Sequence, residues 1–200
     1  MKNTVKALLA TLVFSILTCS VVEAKLPATW AEFKQEYQTV ATTPQGAAKM
    51  LFKGIFCWTK AVQTKNAQLK KDAGKMIRYA VYSDVPIETS IYYSTFRERL
   101  NDPDYYYIFR SFAAGTSVEN SYQMDPENFE LNIEKIRKSR DNYYYVDLIS
   151  SGADSIRYVM AEKKPDGLWY ITSPHNVYVM VRKPKSHEVQ HMHDHDPDYD

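Results

Sequence analysis

Ile156-Arg157-Tyr158-Val159-Met160-Ala161-Glu162-Lys163-Lys164-Pro165-Asp166-Gly167-Leu168-Trp169-Tyr170-Ile171-Thr172 reads as two strands with a reversal between them. Ile156 to Lys163 and Leu168 to Thr172 supply the β-branched and aromatic side chains that suit a pleated surface. In Lys164-Pro165-Asp166-Gly167, Pro165 presets φ and Gly167 supplies the positive φ that a tight reversal needs, so the segment predicts a hairpin. Upstream, Tyr143, Tyr145, Asp147 and Ile149 alternate with Tyr144, Val146, Leu148 and Ser150. An earlier run opened by Pro126 carries Phe129, Leu131, Ile133 and Ile136, and Val177 to Arg182 makes a fifth. A period of two throughout predicts an antiparallel meander of about four to five strands beyond Gly115.

Before Gly115 the apolar period is close to four. Trp30, Phe33 and Tyr37 share one face of a short helix capped by Thr29. Thr43-Pro44 opens a second helix to about Val62, with Ala47, Ala48, Leu51, Phe52, Ile55 and Phe56 at helical spacing. Asn66 to Tyr82 predicts a third, apolar at Leu69, Ala73, Met76, Ile77 and Ala80 and cationic on the other side. Glu88 to Leu100 is compatible with a fourth. Asn101-Asp102-Pro103-Asp104 is a turn signal, after which Tyr105 to Phe109 is taken as a short helix. Helices first and strands after them give α+β, with N-terminal helices packed on a C-terminal antiparallel sheet.

The first 24 residues belong to no such element. Lys2 and Lys6 precede an uncharged apolar stretch from Ala7 to Cys19, and Val22-Glu23-Ala24 offers small or β-branched residues for cleavage, the pattern of a secretory signal peptide. The run is too short for a membrane-spanning helix, which needs about 20 apolar residues. The expectation is an exported, periplasmic or secreted protein beginning at Lys25. The alternative is acylation of Cys19 in Ile16-Leu17-Thr18-Cys19 and a lipid-anchored product. Residues 25–184 then form one domain, and 185–200 a disordered His- and Asp-rich tail.

Among 200 residues, 25 Lys and Arg face 24 Asp and Glu, and 44% are hydrophobic. A chain so nearly neutral lacks the basic surplus that would displace counterions from a nucleic acid. Its apolar content excludes general disorder, and two cysteines cannot build a disulfide framework. Cys57, in Gly54-Ile55-Phe56-Cys57-Trp58, is expected to be a buried core thiol.

The segments Ala114-Gly115-Thr116-Ser117-Val118-Glu119-Asn120-Ser121-Tyr122, Ser151-Gly152-Ala153-Asp154-Ser155-Ile156-Arg157, Asp166-Gly167-Leu168-Trp169 and Val181-Arg182-Lys183-Pro184 resemble, in this order, a bacterial family known as domain of unknown function 6935. The chain departs from that pattern at Ser117, Ile156 and Tyr158, where proline is expected. The resemblance implies a compact extracytoplasmic domain and carries no chemistry with it.

Three groups of residues are candidates for function. In the first, Gly152 suits a positive-φ turn, Asp154 an Asx turn, and Arg157 a pairing with Asp154. Functionally, Asp154, Ser155 and Arg157 would instead face a ligand cleft, and with His175 they are the material for a small extracytoplasmic hydrolase. The second group is the tyrosine runs, above all Tyr143, Tyr144 and Tyr145. A tyrosine offers an apolar face and a polar tip to a small molecule, glycan or protein, and consecutive residues of a strand point to opposite faces. The third is the tail: His187, His191, His193 and His195, with Asp194 and Asp196, are nitrogen and oxygen donors suited to Zn²⁺, Cu²⁺ or Ni²⁺. No cofactor is required by any motif. The leading expectation is a noncatalytic binding domain with a metal-capturing tail, and the alternative is the hydrolase.

Overall fold

Each of the first three helices begins where a side-chain oxygen can accept an otherwise orphan backbone N–H. The computed structural model describes residues 25–187. Thr29 accepts from Glu32 at the head of α1 (Trp30–Val40), Thr43 from Gly46 at α2 (Pro44–Gln63), and Asn66 from Leu69 at α3 (Ala67–Ala80). In α2, 14 of 20 residues are buried. A helix apolar on nearly every side belongs in the interior, and α2 packs against α1, α3 and every strand of the sheet.

A loop leads from α3 to a 3₁₀ turn (Ile91–Tyr93), then α4 (Ser94–Asn101), a second 3₁₀ turn (Pro103–Tyr105) and α5 (Tyr106–Arg110). The helix expected over Glu88 to Leu100 is thus confined to its C-terminal part. The Arg97 guanidinium donates to the carbonyls of Ile87 and Ser90 (3.0 and 2.9 Å), and the Ser90 hydroxyl accepts from the Tyr92 N–H. Those bonds hold the preceding segment in a non-helical bend.

The sheet has four antiparallel strands in the order β1 (Ile133–Arg140), β2 (Tyr143–Leu148), β3 (Arg157–Lys163) and β4 (Trp169–Ser173). β1 starts later than the apolar pattern suggests, since Leu131 makes only an isolated bridge to Ala113. Between β3 and β4, Gly167 has φ +85° and its N–H bonds Lys164 O at 2.9 Å, while Asp166 Oδ1 accepts from the Leu168 N–H at 3.0 Å. The hairpin is therefore the one that Pro165 and Gly167 predict.

The expected fifth strand does not form. His175–Val177 is a 3₁₀ turn, and Met180 takes φ +54° with 82% of its surface exposed, which breaks any ladder with β4. The backbone there bonds elsewhere: Met180 O accepts from the Arg157 guanidinium (3.0 Å), and the Arg182 N–H donates to Gly152 O (2.8 Å). Lys185–His187 are helical, and the Lys185 N–H bonds Val118 O at 3.2 Å. The docked chain so runs three residues past Pro184. No helix among the described residues is long and apolar enough to cross a membrane.

Candidate functional site

The end of α3 carries an unusual residue. Ser83 N–H bonds Arg78 O (3.0 Å) and Tyr82 N–H bonds Tyr79 O (3.1 Å), the paired bonds of a Schellman closure. This closure requires positive φ at the residue after the cap, where glycine is favoured; Tyr82 adopts +47° instead. A side chain in this conformation costs about 1–2 kcal/mol relative to right-handed backbone. Its ring is nonetheless 55% exposed. Left-handed backbone at non-glycine residues clusters at functional sites, although Lys65 closes α2 in the same way at φ +53°.

Tyr82 lines two clefts. The first, of about 510 Å³, has Trp30, Tyr79 and Tyr82 as its aromatic wall, and Lys75, Arg78, Ser83 and Asp84 at its rim. The second, of about 450 Å³, is lined by Tyr82 together with Asn142, Glu162, Lys163, Lys164 and Pro165. α1 delivers Trp30 at its first position, edge-on to Tyr79 (5.3 Å between centroids). Behind the wall Tyr170 touches Tyr37, Tyr79 and Tyr82 at 5.3, 5.5 and 4.8 Å. The Tyr170 hydroxyl is hydrogen-bonded to Asp166 Oδ2 (2.7 Å) and to the Tyr79 hydroxyl (3.1 Å), which fixes the ring that supports Tyr82. Burial, then the bonds to Tyr79 and Asp166, push the Tyr170 phenol far up, so it stays protonated.

The groove is cationic. Lys164 Nζ lies 4.4 Å from the Tyr82 centroid and 2.6 Å from Glu162 Oε2. Partial burial pushes the Glu162 carboxyl up, but hydrogen bonds from Lys164 and Tyr143 and the charge of Lys164 outweigh it and hold the group below its ordinary value. Lys75 is engaged by Asp72 at 3.2 Å. Arg78 and Lys163 are exposed, and among the described residues no side chain pairs with either. Four cations line the clefts against Asp84 and Glu162; Asp72 neutralises Lys75, which leaves a local surplus of one in a chain of net charge +1.

The tyrosine run of β2 divides as strand geometry demands. Tyr144 points to the helices and meets Trp169 edge-on at 5.1 Å, so it serves the core. Tyr143 and Tyr145 lie on the opposite face, under the guanidinium groups of Arg140 (3.9 Å) and Arg137 (4.8 Å). Tyr145 also meets Tyr158 at 5.2 Å. Tyr143 pairs across the sheet with Glu162, which lines the second cleft. Trp30, Tyr79 and Tyr82 are aromatics that periodicity assigns to helix faces, and nothing in the sequence marks Tyr82 as left-handed.

A smaller cleft of about 240 Å³ is lined by Ile149, Ser150, Ala153, Asp154, Ser155 and Ile156. Arg157 does not pair with Asp154. Its guanidinium donates to the Ser155 hydroxyl (2.6 Å) and Met180 O, while Asp154 is 3.6 Å from Arg182. The loop's own bonds and the missing fifth strand set this arrangement. Gly152 does not have positive φ either; it is required for space, because a Cβ there would fall on the Tyr122 hydroxyl and lie 2.7 Å from Val181 Cγ1. His175 Nδ1 is 2.7 Å from the Tyr178 hydroxyl, and none of Asp154, Ser155 and His175 hydrogen-bonds another.

His187 packs edge-on against Tyr107 (6.1 Å). His191, His193, His195, Asp194 and Asp196 lie outside the described residues, as do the expected signal peptide and Cys19. Among the described residues no group of three His, Cys, Asp or Glu is placed to hold a metal ion. Cys57 is buried, with Sγ 3.4 Å from Pro27 O. Burial foremost, then the Glu127 carboxylate, pushes its thiol up to about 12, so it is no nucleophile near neutral pH.

No curated protein matches the chain. No solved structure matches it either. The sequence does match the family described as domain of unknown function, DUF6935, over residues 25–185. That span covers every element from α1 to β4, and the chain belongs to the DUF6935 family.

Proposed function

We propose that this is an exported, noncatalytic binding domain whose ligand, a small molecule, glycan or protein, seats in the groove around Tyr82. The observation that carries the reading is Tyr82 itself, an exposed aromatic kept in a strained backbone conformation where two clefts meet. Aromatic side chains with fixed supports give contact area at little entropic cost, and convergent polar groups at the rim orient what is bound. Export is supported by the basic, apolar and small-residue succession before Lys25.

The test is amide chemical-shift mapping with small probes at millimolar concentration: N-acetylglucosamine, glucuronate and the dipeptide Gly-Tyr. Shifts centred on residues 79–84 and 162–165 are expected for at least one probe. Shifts confined to residues 149–157 would favour the hydrolase alternative, whose support is the small cleft beside Ser155. No shift at either groove or loop sinks the binding reading.

A second proposal concerns the tail. His187, His191, His193 and His195, with Asp194 and Asp196, capture Zn²⁺, Cu²⁺ or Ni²⁺ weakly, since four imidazoles within nine residues raise the local donor concentration. Each imidazole ligates only when neutral, so affinity should fall as pH drops through about 6.5. Calorimetry with Zn²⁺ at pH 7.5 and 5.5 checks this against a chain ending at His187. Equal affinity in the two chains would place any metal site elsewhere.

A further inference from the structure

Resting on the binding reading above, we infer that the ligand of the groove is an acidic oligosaccharide, laid across Tyr82 with sugar rings against the aromatic wall and carboxylate or sulfate groups on Arg78 and Lys163. Charge is the first argument. Of the four cations lining the two clefts, Lys75 and Lys164 are already held by carboxylates, whereas Arg78 in one cleft and Lys163 in the other are exposed without a side-chain partner among the described residues. A ligand anion therefore reaches each of the free pair without breaking an existing ion pair, and a charge-assisted bond forms at each end of the groove.

Shape is the second. Two open clefts that share Tyr82 as a lining residue suit a chain of repeating units better than a single compact molecule. A pyranose offers a flat C–H face and a rim of hydroxyls, and the groove offers the complements: aromatic surface from Trp30, Tyr79 and Tyr82, with the Lys164 ammonium 4.4 Å from the Tyr82 centroid, and the polar groups of Ser83, Asp84, Asn142 and Glu162. Negative charge on such a ligand answers the two unpaired cations, Arg78 and Lys163, which a neutral glycan would leave unmatched. An extended acidic peptide would satisfy the cations but not supply a flat face at each aromatic.

Calorimetric titration of the full chain with four hexamers separates the possibilities: oligogalacturonate, a heparin-derived sulfated hexasaccharide, cellohexaose and hexaglutamate. One or both acidic sugars should bind. Cellohexaose, which forms no charge-assisted bond, and hexaglutamate, which lays no ring on the aromatic wall, should each bind at least about tenfold more weakly. Arg78→Gln and Lys163→Gln should each weaken the acidic sugar about tenfold, with binding that also falls as salt is raised. Tyr82→Gly should weaken it by a similar factor while leaving the thermal midpoint near that of the parent, because glycine relieves the positive φ. Galacturonate preferred over the sulfated sugar assigns carboxylate as the anion, and the reverse assigns sulfate. Cellohexaose binding as tightly and insensitive to Arg78→Gln overturns the inference but leaves the groove as a binding site. Tighter binding of hexaglutamate overturns it in favour of a peptide, and no binding of either acidic sugar overturns it outright. The groove itself falls only with the small-probe shifts.

Discussion

Gly152→Ala should lower stability by about 3 kcal/mol, the sum of overpacking at about 1–3 and a displaced buried hydrogen bond at about 1. An added Cβ would fall on the Tyr122 hydroxyl and within 2.7 Å of Val181 Cγ1, and the first of these has nowhere to go. Tyr122 is fully buried, takes φ +54°, donates its hydroxyl to Arg182 O (2.7 Å) and stacks on Tyr107 at 5.8 Å. Its N–H is fixed to Ser117 O at 2.9 Å. Moving the ring therefore loosens three segments together: the loop at Ser117, the helix at Tyr107 and the chain closing at Arg182. For a chain of this size the thermal midpoint should drop by about 10 °C. Tyr122→Phe in the Gly152→Ala background should restore part of that loss, since the worst contact is with the hydroxyl; the ring carbon Cζ would still lie 2.9 Å from the new methyl. A Gly152→Ala protein with an unchanged midpoint would mean that the loop at Ser151–Ser155 is free to move away.

The same loop shows why the site was harder to read than the fold. Alternation in Tyr143–Leu148 and the turn chemistry of Pro165 and Gly167 are local properties, and the sheet follows from them. Thr29, Thr43 and Asn66 likewise cap the helices they precede. The fifth strand fails because Met180 adopts a left-handed conformation that no propensity assigns to methionine, while its carbonyl accepts from Arg157 and the Arg182 N–H donates to Gly152 O across the fold. Gly152 presents the same lesson in reverse: a turn-like local sequence where the real demand is space for a distant tyrosine. Asp154 and Arg157 are three residues apart, yet Asp154 lies by the distant Arg182 and Arg157 divides between its neighbour Ser155 and the distant Met180 carbonyl. For the groove, Trp30 and Tyr79 belong to different helices and Lys163 to a strand, so only the assembled fold brings them to Tyr82. What is legible is that Tyr143, Tyr144 and Tyr145 cannot all enter one core, and the fold places Tyr144 inside with Tyr143 and Tyr145 on the opposite face; nothing in the sequence marks Tyr82.

Lys53→Met should be nearly as damaging as Gly152→Ala, for an electrostatic reason. Lys53 is 3% exposed in the middle of α2, and its ammonium donates to Glu36 Oε1 (2.6 Å) and Lys25 O (3.2 Å). Methionine keeps most of the volume, so no large cavity confuses the result. What remains is a Glu36 side chain only 24% exposed with no cation beside it, and a Lys25 carbonyl without its donor. Breaking one side of a covered ion pair costs about 3 kcal/mol here, the low end because Glu36 keeps some water. The contact also ties the first described residues to the core: the Leu26 N–H donates to Glu127 Oε2 (2.8 Å), and Lys60 holds Glu127 at 2.5 Å. Loss of the Lys53 anchor should accordingly expose residues 25–29 to proteolysis before the domain unfolds. Adding Glu36→Met should recover most of the stability, because replacing both members of a covered pair with apolar groups of similar volume is often neutral or favourable. Urea unfolding of the two single variants and the double variant gives the coupling directly. If Glu36→Met on top of Lys53→Met recovers nothing, the loss comes from the Lys25 carbonyl and the docking of the N-terminal segment rather than from the stranded carboxylate.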